Sequence, residues 1–270
     1  MRFTWPARIG AVVLLLIYGV PLYWLVSTSF KASNDVFKGL STFVTFVPTL
    51  AAYQRIWTAN LLHAGVNSFL IAAGTTALTL ALTVPAAYGL ARLRGSIVSI
   101  GLGVVIILQM MPQTSTVIPL YQVLGSWNLL GAIPGVVLAD AALLLPFCIL
   151  ILRPFFLVIP IEIEEAATVD GASPWRIFSR IALPLAFNGT VTAGIIIFLI
   201  AWGEFLYATS FLLDPQQYPL SVLIAAQIGQ YGNNWPALMS IAVATGLPIL
   251  VIFLVSYRRL REGLALGSIR

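Results

Sequence analysis

Charge is what this chain has least of. Of its 270 residues only 9% are Asp, Glu, Lys or Arg, while 60% are hydrophobic and mean hydropathy is +0.98. A soluble domain carries about 25% charged residues and roughly 45–50% apolar ones. A water-facing surface around a single core of this length is therefore excluded, and so are disorder and a collagen-like fold. Cysteine and histidine are nearly absent too, with Cys148 and His63 the one residue of each kind. A lone cysteine closes no disulfide within the chain, which excludes a secreted disulfide scaffold. There is no metal-ligand cluster and no nucleophile paired with a base. The phosphate-cradling pattern Gly-x4-Gly-Lys-[Ser/Thr] is also missing. These absences argue against an enzyme, against a cofactor or metal held by this chain, and against ATP hydrolysis by it.

Long apolar runs are abundant. A bilayer core of ~30 Å takes about 20 apolar residues at ~1.5 Å per residue. Six such runs occur, at about 9–30, 66–91, 97–121, 133–152, 185–213 and 236–257. They are continuous rather than alternating, which argues against a transmembrane β-barrel. The first follows Arg2 and Arg8 as a signal peptide would. Its apolar run exceeds the ~7–15 residues of an h-region and no small-residue cleavage site follows, so it reads as a retained span. The expected fold is an all-α membrane protein, a single transmembrane domain over 1–270 with six helices.

Six spans put both termini on one side with the 2–3 and 4–5 loops. That side collects Arg2, Arg8, Arg92, Arg94, Arg153, Arg176, Arg180, Arg258, Arg259, Arg261 and Arg270, against Lys31, Lys38 and Arg55 on the other. The imbalance places both termini in the cytoplasm. It also accounts for the net charge of +5 without nucleic acid as a partner. The segment 31–65 is then a short extracytoplasmic excursion ending near His63, which reads as a solvated interface residue.

The segment 160–184 gathers Glu162, Glu164, Glu165, Asp170, Arg176 and Arg180 in a chain otherwise almost free of charge. Local signals divide it into two short helices. Pro160 opens the first, with Glu162 near its positive end. Gly171 supplies the turn that ends it. Ser173 is a candidate N-cap for the second, followed by Pro174 and the apolar residues Ile177, Phe178 and Ile181. Pro184 marks entry into the fifth span. Ala166 and Ala167 beside an acidic face let a partner approach the backbone closely. A solvated connector between two spans fits the composition as well.

The run Glu165-Ala-Ala, three residues, Gly171, nine residues, then Ile181-Ala-Leu-Pro184 resembles the EAA loop of bacterial ABC importer permeases. The extended stretch from Glu164 to Ser173 is similar to the carbohydrate-uptake branch, of which the maltose permease's second subunit is typical. So are Pro112, Ile118-Pro-Leu-Tyr121, Leu145-Pro-Phe147, Trp202-Gly-Glu-Phe205 and Gly263-Leu264. Gly203 departs from the usual Asn before Glu204. The resemblance implies the type I importer permease fold, with the loop as a coupling helix seated on a cytoplasmic ATPase. Glu164, Glu165, Ala166, Ala167, Asp170, Gly171, Ala172 and Ser173 would make that contact. It further implies a second permease subunit (a heterodimer), two ATPase subunits carrying ATP and Mg, an extracytoplasmic solute-binding protein and a sugar-type solute. The implied location is the bacterial inner membrane.

Polar residues inside spans usually face a bundle interior or an aqueous cavity. Gln109, Gln113 and Thr116 fall at i, i+4 and i+7 of the third span, hence on one face, while Pro112 and Pro119 interrupt the same helix and free carbonyls that a cavity could satisfy. Asp140 and Glu204 are carboxylates well inside spans. With Trp202, and with Tyr121 and Tyr207 as aromatic companions, they form a candidate translocation path, since sugars need hydroxyl partners and flat apolar faces. The same residues also serve as polar packing contacts. A proton-driven secondary transporter with Asp140 and Glu204 as relay, and a structural membrane scaffold, are the alternatives. Cys148 beside Phe147 reads as apolar filling. Gly74, Gly89, Gly189 and Gly194 permit close helix approach, and Gly189 is a candidate hinge.

Overall fold

The structure is a computed structural model that describes residues 5–39, 41–58, 61–229 and 232–267, with side chains described as far as Tyr257. Arg2 and Arg270, and the side chains of Arg258, Arg259, Arg261 and Gly263-Leu264, lie outside the described residues. In chain order the helices begin with α1 (Trp5–Ser29), α2 (Ser41–Val44), α3 (Ala51–Thr58), α4 (Leu61–Arg92), α5 (Ser96–Gln109), α6 (Gln113–Ser126) and α7 (Ile133–Leu157). There follow α8 (Ile161–Val169), α9 (Pro174–Ile177), a π-helical turn (Phe178–Ala182), α10 (Leu183–Leu185), α11 (Phe187–Trp202), α12 (Leu206–Phe211) and α13 (Leu220–Ala225). Two-residue strands β1 (Ile228–Gly229) and β2 (Gly232–Asn233) pair antiparallel before α14 (Trp235–Gly267), with Ile228 opposite Asn233.

Among the described residues, four helices are long and apolar enough to cross a membrane by themselves, in α1, α4, α7 and α14. Counting each of two bent pairs as one span brings the number to six, and in both pairs the expected single helix needs correction. The run 97–121 is not one helix: α5 and α6 meet at 95°. Pro112 has no N–H to give and biases Met111 away from helical geometry. The chain closes α5 with tight bonds from Met110 N to Ile107 O at 3.0 Å and Met111 N to Leu108 O at 3.2 Å. Hydropathy is blind to such a break because both halves are apolar.

The run 185–213 is also interrupted. The segment Pro174–Leu185 meets α11 at 74°, so the chain bends at Ala186 where one straight helix was expected from Leu185 onward. Lacking an N–H, Pro184 makes no bond to Arg180 O, and the preceding turn widens to a π-turn, a distortion expected where the i→i−4 ladder is broken. A second break at Gly203–Phe205 separates α11 from α12.

The chain forms two compact units, residues 1–65 with 220–250, and 66–219 with 251–270. In the first, Ser29 Oγ and Tyr53 Oη lie 2.8 Å apart, and Ser240 Oγ donates to Ser29 O at 3.2 Å. Lys31 is 1% exposed, with its Nζ 4.5 Å from the centre of the Trp24 ring and no hydrogen-bond partner among the described residues. Burial pulls its ammonium below the usual lysine range, partly opposed by the Asp35 carboxylate. The exposed apolar sides of α1 are those of a helix solvated by lipid or by another subunit.

The second unit is built around α7. Leu144, Cys148, Leu152 and Phe156 of that helix pack with Val84 and Ala87 of α4, Phe178 and Ala182 of the π-turn, and Ala193 and Ile197 of α11. Small residues set the spacing. A β-carbon on Gly74 would lie 3.1 Å from Val137, on Gly194 3.0 Å from Leu80, and on Gly189 2.3 Å from the Phe155 ring. Gly89 has nothing within 4 Å, so no close approach explains it.

Candidate functional site

The loop between α7 and α11 folds as its local chemistry dictates. Pro160 caps α8, and Glu162 and Glu164 lie in its first turn, where the helix dipole favours anions. Gly171 has φ +81°, the left-handed conformation that an L side chain resists. Gly171 N bonds Thr168 O at 3.0 Å and Ala172 N bonds Ala167 O at 2.9 Å. This pair of bonds forms the motif that satisfies the last carbonyls of a helix. Ser173 caps α9 by accepting from Arg176 N at 3.4 Å, and Pro174 occupies the first helical position.

Around this turn the loop residues divide between two directions. Glu165, Ala166, Asp170, Gly171 and Ser173 are exposed, and Ala167 and Ala172 are half-buried. Two apolar side chains flank the turn in the open, Val169 at 88% and Trp175 at 71% exposure. Glu164 goes the other way. It is buried, and its carboxylate takes hydrogen bonds from Arg92 Nε (2.9 Å), Arg92 Nη2 (2.6 Å) and Tyr88 Oη (2.8 Å). Glu164, expected with Glu165 among the residues that meet the ATPase, is thus turned inward instead. Consecutive helix residues point about 100° apart, and an arginine waits on the inner side.

Arg92 does more than mark topology. Its Nη1 donates to Phe156 O at 2.9 Å and its Nη2 to Ile159 O at 3.3 Å, satisfying carbonyls at the end of α7. Arg153 returns the contact, with Nε donating to Leu90 O at 3.2 Å near the end of α4. Sequence reasoning gave these arginines no role beyond the charge tally. The available signal was Tyr88 and Arg92 at i and i+4, a phenol and a guanidinium on one face at the end of a span.

A second polar cluster sits between α6, α7 and the α11–α12 break. Glu204 Oε2 accepts from Gln113 Nε2 at 3.1 Å, and Oε1 accepts from Tyr207 N at the start of α12. Its carboxylate therefore spans the helix break and satisfies an N–H that the interruption frees. Thr116 Oγ1 and Tyr207 Oη are 2.5 Å apart. Asp140, 2% exposed, reaches the Glu204 carboxyl across the interior. Trp202 is buried and stacks on Phe198 with ring centres 5.8 Å apart.

The structure brings together Gln113, Thr116, Asp140 and Glu204, with Tyr207. It does not bring in Gln109, which is exposed at the end of α5, beyond the 95° break. The one-face reading of Gln109, Gln113 and Thr116 assumed a continuous helix and is corrected by that break. Beside the cluster lies a cavity of about 270 Å³ lined by Thr116, Pro119, Ala139, Pro146 and Tyr207 among others. Tyr121 is 44% exposed. Cys148 is buried and accepts from Thr83 Oγ1 at 3.1 Å, so it fills space and also takes a hydrogen bond.

Residues 83–265, which hold both clusters, match the family of binding-protein-dependent transport system inner membrane components. The chain belongs to that family. It is a membrane component of a transport system rather than an enzyme, and the stand-alone proton-driven carrier falls away as an alternative. The sulfoquinovosyl glycerol transport system permease protein SmoH of Agrobacterium fabrum is 33% identical over 267 residues, covering 98% of this chain and 94% of that one. The trehalose transport system permease protein SugB of Mycobacterium tuberculosis is 31% identical over 254 residues, 93% and 92% of the two chains. In fold, the chain is similar to a bacterial ABC transporter involved in the import of the acidic polysaccharide alginate. The TM-score is 0.77 at 20% identity, covering 96% of this chain and 99% of that one.

Proposed function

We propose that this permease is the membrane-spanning subunit of an ATP-driven importer for a sugar or sugar derivative. The whole chain works as one transmembrane domain, with both termini and the α7–α11 loop in the cytoplasm. A second permease subunit forms a heterodimer with it. Two ATPase subunits carry ATP and Mg, and an extracytoplasmic binding protein delivers the solute. The carbohydrate transport named for two relatives supports the solute class. A further relative is named as a diacetylchitobiose uptake permease.

The observation that carries the reading is the outer face of α8 and its turn. Glu165, Ala166, Ala167, Asp170, Gly171, Ala172 and Ser173 surround a compact elbow, with Val169 and Trp175 bare on either side. Bare apolar side chains on a loop beside acidic ones mark a surface built to be covered by another protein. A short helix locked by a left-handed glycine and a capped second helix transmits force because it has few ways to bend. When the ATPase closes on the elbow, the displacement passes into the bundle and shifts the balance between outward- and inward-facing states. The cluster of Gln113, Thr116, Asp140 and Glu204 lies along the solute path, offering donors and acceptors to a hydroxylated ligand, with Trp202 buried on the neighbouring turn of α11.

The test is uptake by proteoliposomes holding the two permeases and the ATPase, with binding protein and radiolabelled sugar outside. Uptake requires internal ATP and is lost in Gly171→Val while ATP hydrolysis continues. Wild-type uptake by Gly171→Val, or uptake without ATP, would overturn the coupling reading. A binding screen on the solute-binding protein identifies the sugar.

A further inference from the structure

The coupling reading accounts for the outer face of α8 and leaves its inner face unexplained. α8 is joined by the chain to α7 on one side and to α9 on the other. α4 is remote in sequence, 72 residues separating Arg92 from Glu164. Yet the strongest polar contact of α8 is with α4. Both oxygens of Glu164 are engaged, one by the Arg92 fork and one by Tyr88 one turn earlier on the same helix.

We propose that Arg92 and Glu164 form a strut that makes α8 and the end of α4 move as one piece, so that the ATPase stroke reaches α4 directly. Both are positioning residues, and the inference rests on the coupling reading above. The geometry suits the task. The guanidinium makes four hydrogen bonds, two to Glu164 and one each to Phe156 O and Ile159 O, and so fastens α4, the end of α7 and the start of α8 at one point. Arg92 Nε and Nη2 converge on one carboxylate oxygen and Tyr88 Oη holds the other, so the carboxylate is fixed from two directions.

The side chains of Arg92 and Glu164 are 16% and 10% exposed, which leaves little room for water to replace either partner during a movement. Tyr88 adds lateral support. Its ring stands 5.6 Å from Phe156 before α8 and 5.1 Å from Phe178 after α9, so the loop is gripped from both flanks. A connector whose only task was to join two spans would have no need of a buried ion pair to a third.

The experiment compares wild type, Glu164→Gln, Arg92→Gln, the double variant and the milder Tyr88→Phe in the complete reconstituted importer. Three quantities are read: ATPase bound per permease, solute taken up, and ATP hydrolysed per solute. The single variants are expected to bind ATPase normally and to use about fivefold more ATP per solute, the low end of coupling between linked sites. The double variant should be no worse than the worse single one, because both remove the same contact. Tyr88→Phe, which loses one hydroxyl, should move in the same direction by less and remains informative if the charge variants fail to fold.

An unchanged ATP-to-solute ratio in the assembled variants would overturn the strut, as would additive losses in the double variant. Gly171→Val separates the two levels. If it uncouples while the Arg92 and Glu164 variants do not, only the strut fails; if Gly171→Val transports normally, the coupling reading has failed beneath it.

Discussion

A β-carbon placed on Gly189 would stand 2.3 Å from Cγ of Phe155, closer than any packed carbon pair. α11 and α7 cross at this point because one of them has no side chain. Gly189→Ala is therefore expected to destabilise the bundle by about 1–3 kcal/mol, the usual cost of overpacking. Thermal unfolding in detergent should show a lower midpoint, and Phe155→Ala in the same chain should restore part of the loss. Gly89→Ala is the control. That position is helical with open space around it, so alanine should be neutral or stabilising by up to about 1 kcal/mol.

Glu204 and Gln113 hold the break between α11 and α12. Glu204→Ala leaves the Tyr207 N–H and the half-buried Gln113 amide without their acceptor, at a cost of about 1–3 kcal/mol for the buried N–H left unsatisfied. Glu204→Gln keeps an acceptor oxygen and is expected to lose less. Uptake should fall in the order wild type, Gln, Ala, with the chain still inserted. Equal uptake in all three would remove this cluster from the solute path.

Lys31 is expected to oppose stability at neutral pH. Its ammonium is buried and its folded-state pKa lies below the ordinary 10.5. Between the lowered value and 10.5 the unfolded chain holds the extra proton, so stability rises with pH across that window. Lys31→Met should raise the unfolding midpoint at pH 7 and flatten its pH dependence in that range. A lower midpoint for the methionine variant would mean that the Trp24 contact outweighs the desolvation.

Gly171 and Ser173 could be read from the sequence because their roles are local: a left-handed turn wants glycine and a helix start wants a hydroxyl. The direction of Glu164 could not, since it is decided by Tyr88 and Arg92 more than 70 residues earlier. The six apolar runs were equally plain, because hydropathy sums over a window. The break at Gly203–Phe205 was hidden by that same sum; Pro112 marked an interruption of the third span but not a 95° turn, and the face assigned to Gln109 went wrong with it. Asp140 and Glu204 were recognisable singly as costly charges in spans, but their meeting depends on how α7 packs beside the α11–α12 break.

Gly171 supplies the last prediction because space and conformation can be separated there. Nothing lies within 4 Å of a β-carbon built on it, so bulk alone meets no wall. The obstacle is φ +81°, which asparagine tolerates and a β-branched residue does not. Gly171→Asn should keep most uptake, Gly171→Ala should lose part, and Gly171→Val should lose nearly all. ATP hydrolysis should continue across the series, since what is lost is transmission through the turn that sets where Glu165 and Asp170 point. If asparagine and valine are equally harmful, the partner is packed against the glycine itself, and closeness of approach rather than backbone conformation is what the position supplies.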